Sequence, residues 1–493
     1  MIRVADRTPV IVGAAQIVQR AAEPAQAREA LLLMEDALRA AALDAGAPAL
    51  LAGADSIAVC QGLSDYANPA AWLAERFGAK AESVLGAISG TTVQQFVSDA
   101  ARAIAAGRRD VVLIAGGEAE NSARKMRRAG PKPLRSRAEG PPPDRRVGVQ
   151  LTAADWKGPD ITAGLATPAA CFALFETALR KRLGLSLAQH RTRIAELWAR
   201  NARVAAENPY AWLRRAPSAE EIATPGPDNP WVAAPYTKLL VANMVVDQAA
   251  ALIVTSAERA RRLGIPESRW VYPHAAAEAV VVRQVSERET LAAEPPLTLV
   301  LQRACELAQL EAQSATFVDF YSCFPVAVQF AAEALGLPLD RPLTVTGGLT
   351  YGGGPFNSYV LHALATVVTQ LRERRDARAI VSSVGGFFSK HAAGVYGGAP
   401  PEGGFAFADL ADEVRDMPKR AFAGEHTGEA EVEAYAVTAE AGRLTRAVVA
   451  CRSASGARCW ARASGAELAE RFAHEELVGA RVRIGSNREL ALS

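Results

Sequence analysis

A chain of 493 residues, 50% hydrophobic and 22% charged, has an ordinary globular composition and material for roughly two to four domains. Its net charge of +2 gives no reason to expect nucleic acid or a membrane surface as a partner. The six cysteines lack CxxC spacing, which argues against a disulfide framework and a zinc site, and no apolar run reaches 18 residues. We therefore expect a cytoplasmic protein without a bound metal.

The first part of the chain alternates patterns typical of strands and of helices. An apolar run at 10–12 predicts a strand, and helical spacing of leucines predicts a helix over about 24–45. A second strand is predicted at 56–59 and a second helix at 68–78. Strands that alternate with helices of ten or more residues favour βαβ units and a mostly parallel sheet.

Two distant stretches, 85–117 and 344–386, repeat one order of elements. Each has a turn of small residues, an apolar helix, Arg-Arg-Asp, an apolar strand and a pair of glycines. The second turn holds five glycines between 347 and 354, a density that allows close backbone approach. A tight structural turn is the simple explanation of one such run. The repeated order predicts an internal duplication of an α/β unit.

An insertion of about 120 residues, at about 121–245, separates the two repeats. Its first part, 121–150, is predicted to be a loop and carries nine basic residues against two acidic ones. The basic residues are Arg124, Lys125, Arg127, Arg128, Lys132, Arg135, Arg137, Arg145 and Arg146. Two interpretations remain open: a solvated loop, or a basic patch that binds the phosphates of a ligand.

The composition changes again beyond residue 400. A glycine-rich stretch at 401–414 is predicted to be a linker, and several short strand-like segments follow in 415–493. A single helix interrupts these segments at about 466–477. Short strands around one helix predict a small independent barrel of the five-stranded OB type.

Four motifs together resemble those of the thiolase superfamily. Tyr321-Ser322-Cys323-Phe324 matches the Cys-Phe end of the family's His-Asp-Cys-Phe motif. The run GGLTYGGGP at 347–355 ends where the family has Gly-His-Pro, and SVGG at 383–386 stands where it has Cys-x-Gly-Gly. The turn SGTT at 89–92 takes the place of the turn that holds the family's nucleophilic cysteine. The resemblance covers roughly residues 1 to 400.

The resemblance implies a duplicated fold of two similar βαβαβαββ halves, layered α/β/α/β/α. With the appended OB-like domain, the expected boundaries are 1–255 for the first half, 256–400 for the second, 401–414 for the linker and 415–493 for the last domain. It also implies a homodimer built on the edge strand near the first glycine turn. The added domain could replace that contact, so a monomer remains open.

Three departures from the motifs bear on chemistry. Ser89 stands near the nucleophile's place, Gly354 at the histidine and Ser383 at the second cysteine. A serine hydroxyl without a base is a far weaker nucleophile than a thiolate, so ordinary thiolysis is not expected. Cys323 packs in the branches of the family that carry it, and Cys60 has no base near it in the sequence.

The candidate catalytic residues are therefore Tyr321, Tyr351, Ser89 and Ser383, with the two tyrosines as acid/base groups. The residues expected to bind substrate are Gly90, Thr91, Cys323, Gly347, Gly348, Gly353, Gly354, Gly385, Gly386 and His391. Backbone N–H groups of the glycine turns would polarise a carbonyl, and His391 and both tyrosines have alternative structural interpretations. The expected ligand is CoA or an acyl-CoA, with no further cofactor.

Three functions remain open from the sequence. The first is an acyl-CoA-handling member of the superfamily, an acyltransferase by descent with altered chemistry. The second is an aldolase or retro-aldolase that acts on an acyl-CoA through Tyr321 and Tyr351. The third is a non-catalytic protein that retains a CoA-binding cleft. Loss of the family's catalytic cysteines and histidine favours the second or third function. The retained glycine turns and Tyr321 argue against a purely structural role.

Overall fold

Strands and helices alternate along the first part of the chain. The computed structural model describes residues 4–21, 23, 26–130, 139–150, 152 and 154–492. The first elements are β1 (Pro9–Val18), α1 (Ala30–Asp44), α2 (Ala49–Ala52), β2 (Ser56–Cys60), α3 (Pro69–Phe77), β3 (Glu82–Gly86), α4 (Thr92–Ala105), β4 (Val111–Ala119) and α5 (Glu120–Ala129). Local chemistry sets these bounds: α3 begins where the Asn68 side chain accepts the Ala71 N–H and ends at left-handed Gly78.

The insertion is mainly helical. Its elements are β5 (Arg145–Val147), α6 (Pro159–Ala163), α7 (Pro168–Arg182), α8 (Leu187–Glu207), α9 (Ala219–Ala223), β6 (Trp231–Ala234) and β7 (Tyr236–Thr237). The prediction of a loop over 121–150 is wrong where α5 and β5 form, and Lys132, Arg135 and Arg137 lie outside the described residues. No single described helix could span a membrane; α6 and α7 pass that test only together, by length and composition, and most of α7 is buried in the fold.

The second half continues the alternation. After β8 (Asp247–Ser256), which returns to the first sheet, its elements are α10 (Ala257–Arg262), β9 (Tyr272–Val280), α11 (Pro295–Leu307), β10 (Phe317–Asp319), α12 (Pro325–Ala334), α13 (Gly348–Tyr351), α14 (Tyr359–Glu373), β11 (Arg378–Gly385), β12 (Lys390–Gly397), β13 (Ala406–Asp409) and α15 (Ala411–Arg415). Strand β13 lies inside the predicted linker 401–414 and pairs in parallel with β9, so this segment completes the second sheet.

The two sheets share one topology, which confirms the duplication. The first runs β1-β8-β4-β2-β3-β5 and the second runs β10-β11-β12-β9-β13. The orders β2-β4-β8-β1 and β10-β11-β12-β9 have the same sequence of one parallel and two antiparallel pairs. The sheets are mixed, because β12 follows β11 through a tight turn and β8 returns alongside β4. The prediction of mostly parallel sheets holds for the first sheet, where three of five strand pairs are parallel, whereas the second has two parallel and two antiparallel pairs.

Helices separate and cover the two sheets. Helices α4 and α14 contact strands of both sheets and bury their apolar side chains between them. Helix α1 packs on the outer face of the first sheet, and α11 packs on the outer face of the second. This is the layered α/β/α/β/α arrangement that the resemblance implies. The matched helices α4 and α14 follow the small-residue turns, so the layering brings both turns toward the centre.

The last part of the chain forms an antiparallel sheet with one helix. Its elements are β14 (Gly428–Glu440), β15 (Arg443–Ser453), β16 (Arg458–Ser464), α16 (Ala466–His474), β17 (Arg481–Ile484) and β18 (Leu490–Leu492). The strands run β16-β15-β14-β17-β18, and one isolated parallel bridge, Arg462–Glu489, links the two ends of the sheet. A closed OB-like barrel stays a prediction.

This C-terminal sheet is joined tightly to the rest of the molecule. Strand β6 of the insertion pairs with β14, through Ala234 opposite Val437 and Ala233 opposite Thr438. Arg458 is fully buried, pairs with Glu433 and donates to the carbonyl oxygens of Val285 and Ser286, at 3.2 and 3.1 Å. A buried guanidinium of this kind fixes the sheet to the second half, so the expected independent domain is instead a docked one.

Strand β5 covers the sheet edge on which the resemblance to the family implies a dimer contact. It pairs in parallel with β3, from Val84 opposite Arg145 to Gly86 opposite Val147. The exposed edge is now a three-residue strand with two exposed arginine side chains. A short charged edge is a poor template for pairing with a second chain.

The chain is therefore predicted to be a monomer in solution. Light scattering coupled to size exclusion, over a range of protein concentrations, should give one mass near 52.1 kDa. A stable species of twice that mass at micromolar concentration would contradict the inference that β5 blocks the edge.

Candidate functional site

The two halves meet where α4 begins and β11 ends. A Cβ atom placed on Gly90 would lie 2.2 Å from the Val384 carbonyl oxygen and 2.6 Å from the Tyr321 hydroxyl oxygen. One placed on Gly385 would lie 2.1 Å from Ser89 Oγ. Neither position has room for a side chain, so both glycines are required by close approach. The structure thus brings together Ser89, Gly90, Tyr321 and Gly385 from the predicted set.

The two serines in this region form local hydrogen bonds only. Ser89 is buried, and its Oγ shares a hydrogen bond of 2.7 Å with Thr91 Oγ1. Ser383 is fully buried and donates to the Ala392 carbonyl oxygen at 3.1 Å. Among the described residues, neither hydroxyl has a histidine or carboxylate partner. An unactivated hydroxyl is a poor nucleophile, so the geometry gives no support to a catalytic role for either serine.

Tyr321 has the clearest capacity for chemistry. Its N–H donates to Ser382 Oγ at 2.9 Å and its ring packs edge-on against Tyr359 at 5.6 Å. Its hydroxyl has no hydrogen-bond partner among the described residues, although the side chain is only 8% exposed. Burial raises the pKa of Tyr321, and a charge on Cys323 or Cys60 would raise it further. At neutral pH the hydroxyl is therefore a hydrogen-bond donor or acid and not a base.

Tyr351 does not join this region, contrary to the prediction. Its side chain is fully buried and its hydroxyl donates to the Leu239 carbonyl oxygen at 3.0 Å. Short helix α13 directs the ring toward the end of the insertion, which a sequence pattern within the second half does not reveal. Burial also raises the pKa of Tyr351, so an acid/base role has no support.

The glycine run has its amides occupied by the protein. Gly347 and Gly348 donate to Thr344 Oγ1 and Thr346 Oγ1, both at 3.1 Å, and Gly354 donates to the Asn243 carbonyl at 2.9 Å. The predicted oxyanion role is therefore wrong for these three. Gly353 has φ of +109°, and a Cβ there would lie 2.0 Å from Gln248 Oε1. The backbone of the glycine run thus packs against the end of the insertion, where Gly354 contacts Asn243.

His391 belongs to a separate buried cluster. Its Nε2 lies 3.2 Å from Glu294 Oε1, and Glu294 also pairs with Arg288. The ring packs edge-on against Phe388. Burial lowers the pKa of His391 more than Glu294 raises it, so the ring is neutral at physiological pH. These contacts hold the structure together and do not connect His391 to Tyr321.

The β11–β12 turn closes the site on the side of the insertion. Gly386, Phe387 and Phe388 have φ of 55°, 52° and 63°, a left-handed conformation that bulky residues rarely adopt. Phe388 is anchored in an aromatic cluster with Phe172 and Phe175. This packing holds the strained turn in place. Gly386 therefore shapes the turn.

Two thiols, Cys60 and Cys323, lie near Tyr321, and the Glu118 carboxyl lies beside Cys60. Burial raises the pKa of both Cys60 and Cys323 well above the ordinary thiol value, so neither is a thiolate at neutral pH. Glu118, at the end of β4, accepts the Leu63 N–H at 2.8 Å, and burial raises its pKa to about 7. Sequence reasoning missed Glu118, although it directly follows the glycine pair of the first repeat.

The comparisons with known proteins agree with this architecture. The domain described as "Thiolase-like protein type 1 additional C-terminal domain" matches residues 409–489. Among curated proteins, the sequence comparison finds no match. Two solved structures show the fold over 80% of this chain: an Ltp2-ChsH2(DUF35) aldolase (21% identity, 98% of that chain, TM-score 0.58) and an acetyl-CoA acetyltransferase from Syntrophomonas wolfei (14%, 99%, 0.56).

A third structure matches over the entire length of both chains. It is a monomeric SCP2-thiolase-like protein type 1 from Mycobacterium smegmatis, with 30% sequence identity and a TM-score of 0.85 over 100% of each chain. The match includes the docked C-terminal domain as well as the two halves. The chain belongs to the SCP2-thiolase-like proteins type 1, within the thiolase superfamily.

Proposed function

We propose that the protein binds acyl-CoA thioesters without catalysing thiolysis or Claisen condensation. One observation carries the proposal: the three positions that match the family's catalytic set hold no thiolate and no base. Ser89 is bonded to Thr91, Ser383 to a backbone carbonyl, and Gly354 has no side chain. Thiolase chemistry requires a nucleophile that attacks the thioester and a base that removes a proton, and the three matched positions supply neither.

The remaining groups suit recognition of a thioester carbonyl. Helix α4 has 14 residues and begins at Thr92, beside Gly90 and Tyr321, so its positive end faces this region. The Tyr321 hydroxyl adds an unpartnered donor at the same place. A carbonyl oxygen bound there would accept from Tyr321 and be stabilised by the helix N-terminus.

The basic segment supplies a smaller set of phosphate ligands than its composition suggests. Arg124 and Arg127 pair with Glu120, and Arg145 pairs with Asp99. Arg128 and Arg146 are exposed and have no ion-pair partner among the described residues. These two guanidinium groups are the best candidates in the described part of the segment for the phosphates of CoA.

Calorimetric titration with CoA and acetyl-CoA tests this binding directly. The wild-type protein should bind both saturably, and Arg146→Gln should weaken both by roughly three- to tenfold because a phosphate contact is lost. Arg108→Gln, at another exposed arginine outside the basic segment, serves as the matched control and should leave affinity unchanged. Absence of saturable binding to the wild type, with CoA and with a range of acyl-CoA esters, would refute the proposal.

A second candidate, retro-aldol cleavage of a β-hydroxyacyl-CoA, is favoured by the unpartnered hydroxyl of Tyr321. In such a step a base removes the β-hydroxyl proton, the Cα–Cβ bond breaks, and a carbonyl compound leaves. The bond's electrons form an enolate whose oxygen accepts a hydrogen bond from Tyr321, and protonation at Cα then gives a shorter acyl-CoA. Glu118 is the candidate base, because it lies beside Cys60, a neighbour of Tyr321, and a pKa of about 7 suits proton transfer at neutral pH. Tyr351 is already bonded to Leu239 and takes no part.

A pair of tyrosine variants separates the two candidates. With 3-hydroxy-3-methylbutanoyl-CoA as the probe, release of acetyl-CoA by chromatography should fall about a hundredfold in Tyr321→Phe if the hydroxyl acts as an acid. Tyr351→Phe removes a hydroxyl bonded only to the Leu239 carbonyl and should retain the wild-type rate. Equal rates in the wild type and Tyr321→Phe would eliminate the acid role. If the wild type binds this probe without cleaving it, only the proposed binding function remains.

A further inference from the structure

A cavity lies between the thiolase core and the docked C-terminal domain. The core side is formed by Arg180 of α7 and by His190 and Arg191 of α8. The opposite side is formed by Tyr435 of β14 and Phe472 of α16. No residue that lines it belongs to the region around Tyr321, so its function is separate from the proposed thioester site.

Four polar atoms of this lining are buried without a hydrogen bond of good geometry, although the side chains of Arg180 and Tyr435 lie close enough to interact with each other. The four atoms are Arg180 Nε, Arg191 Nε, His190 Nδ1 and the Tyr435 hydroxyl oxygen. The side chains of Arg180, His190 and Tyr435 are at least nine-tenths buried. Three of the four atoms carry a hydrogen that can be donated, whereas His190 Nδ1 is an acceptor when Nε2 carries the proton toward Glu176. An unsatisfied buried donor costs about 1–3 kcal/mol, so a cluster of them favours an acceptor in the cavity.

The acidic group that lines the cavity, Glu176, and the nearby Glu476 are already satisfied. Glu176 accepts from Gln329 and Tyr236, both at 2.7 Å, and lies 2.6 Å from His190 Nε2. Glu476, on the C-terminal side, pairs with Arg180 and accepts the Val478 N–H. Neither carboxylate is free to neutralise a further cation.

Arg191 is the cation that remains. No described carboxylate lies within ion-pair distance of it, and its guanidinium instead stacks on Trp231 at 5.3 Å. Burial lowers the pKa of Arg191, which reflects a charge held partly out of water without compensation. At neutral pH the guanidinium is still charged, so an anion would remove this penalty.

The enclosed volume limits the size of the occupant. The space open to the centre of a water molecule is about 20 Å³, within a depression of about 380 Å³ that includes its open side. One or two waters fill the enclosed part, as does one oxygen of a small tetrahedral anion whose remainder lies toward the opening. A flat or bulky ligand does not fit.

From these observations we infer that the cavity binds a small oxyanion of the phosphate or sulfate class between the core and the C-terminal domain. Arg191 supplies the charge, and the Tyr435 hydroxyl, held beside Arg180, supplies a directed donor. Because Tyr435 belongs to one domain and both arginines to the other, the anion bridges the two and stabilises their docking.

Titration calorimetry with inorganic phosphate tests the inference, with chloride added to hold ionic strength constant. The wild type should bind phosphate saturably, and its unfolding temperature should rise with phosphate. Arg191→Gln should weaken binding at least tenfold and abolish the rise, while Arg203→Gln, an exposed arginine on the same helix, should behave as the wild type. CoA affinity should be equal in all three proteins, so the phosphate result can be distinguished from success or failure of the proposed thioester binding.

Three outcomes would overturn the inference. One is the absence of saturable phosphate binding to the wild type at millimolar concentration, which would mean that water alone fills the cavity. The second is unchanged binding in a folded Arg191→Gln protein, which would place the anion elsewhere. If that variant does not fold, Tyr435→Phe removes only one donor, and unchanged phosphate affinity in it would equally contradict the assignment.

Discussion

The contact between the start of helix α4 and the end of strand β11 is the constraint on which the rest of the site depends. Gly90 and Gly385 approach Tyr321, Val384 and Ser89 so closely that neither position can carry a side chain. This contact joins the two halves at the place where a duplicated fold of this kind would hold its ligand. It also places the Tyr321 hydroxyl beside the start of α4. The chemistry that these two groups offer is hydrogen-bond donation to the oxygen of a bound carbonyl group.

Burial decides what the nearby groups can do. The thiols of Cys60 and Cys323 are held in the protonated form, and Tyr321 is held as an acid, whereas the Glu118 carboxyl has its pKa raised to about 7. The site lacks the thiolate and the histidine of the superfamily. It retains thiol, tyrosine and carboxyl groups whose pKa values are shifted by burial. Such groups suit carbonyl recognition and proton transfer better than nucleophilic attack.

The residues predict the fold better than they predict the site. Hydrophobic periodicity and the repeated turn–helix–strand order depend on local residues, so the duplication can be recognised from the amino-acid pattern alone. The position of Tyr351 depends on Leu239 in the insertion, which no local pattern encodes. Strand β13 is predicted to be a linker because its four residues show no periodicity and its partner β9 lies some 130 positions earlier. Helix α5 is missed because its basic composition hides the Glu120–Arg124 pair that favours a helix.

The positions that match the family's catalytic set supply neither a thiolate nor a base for thiolysis, and one rate tests this most directly. It is the rate at which the purified wild-type protein cleaves acetoacetyl-CoA with free CoA, followed by loss of the enolate absorbance. We predict a rate equal to that of the same solution without protein, at every pH between about 6 and 9, because the buried thiols remain protonated over that range. Robust turnover proportional to protein concentration would contradict this prediction, and would require a nucleophile that the described geometry does not provide.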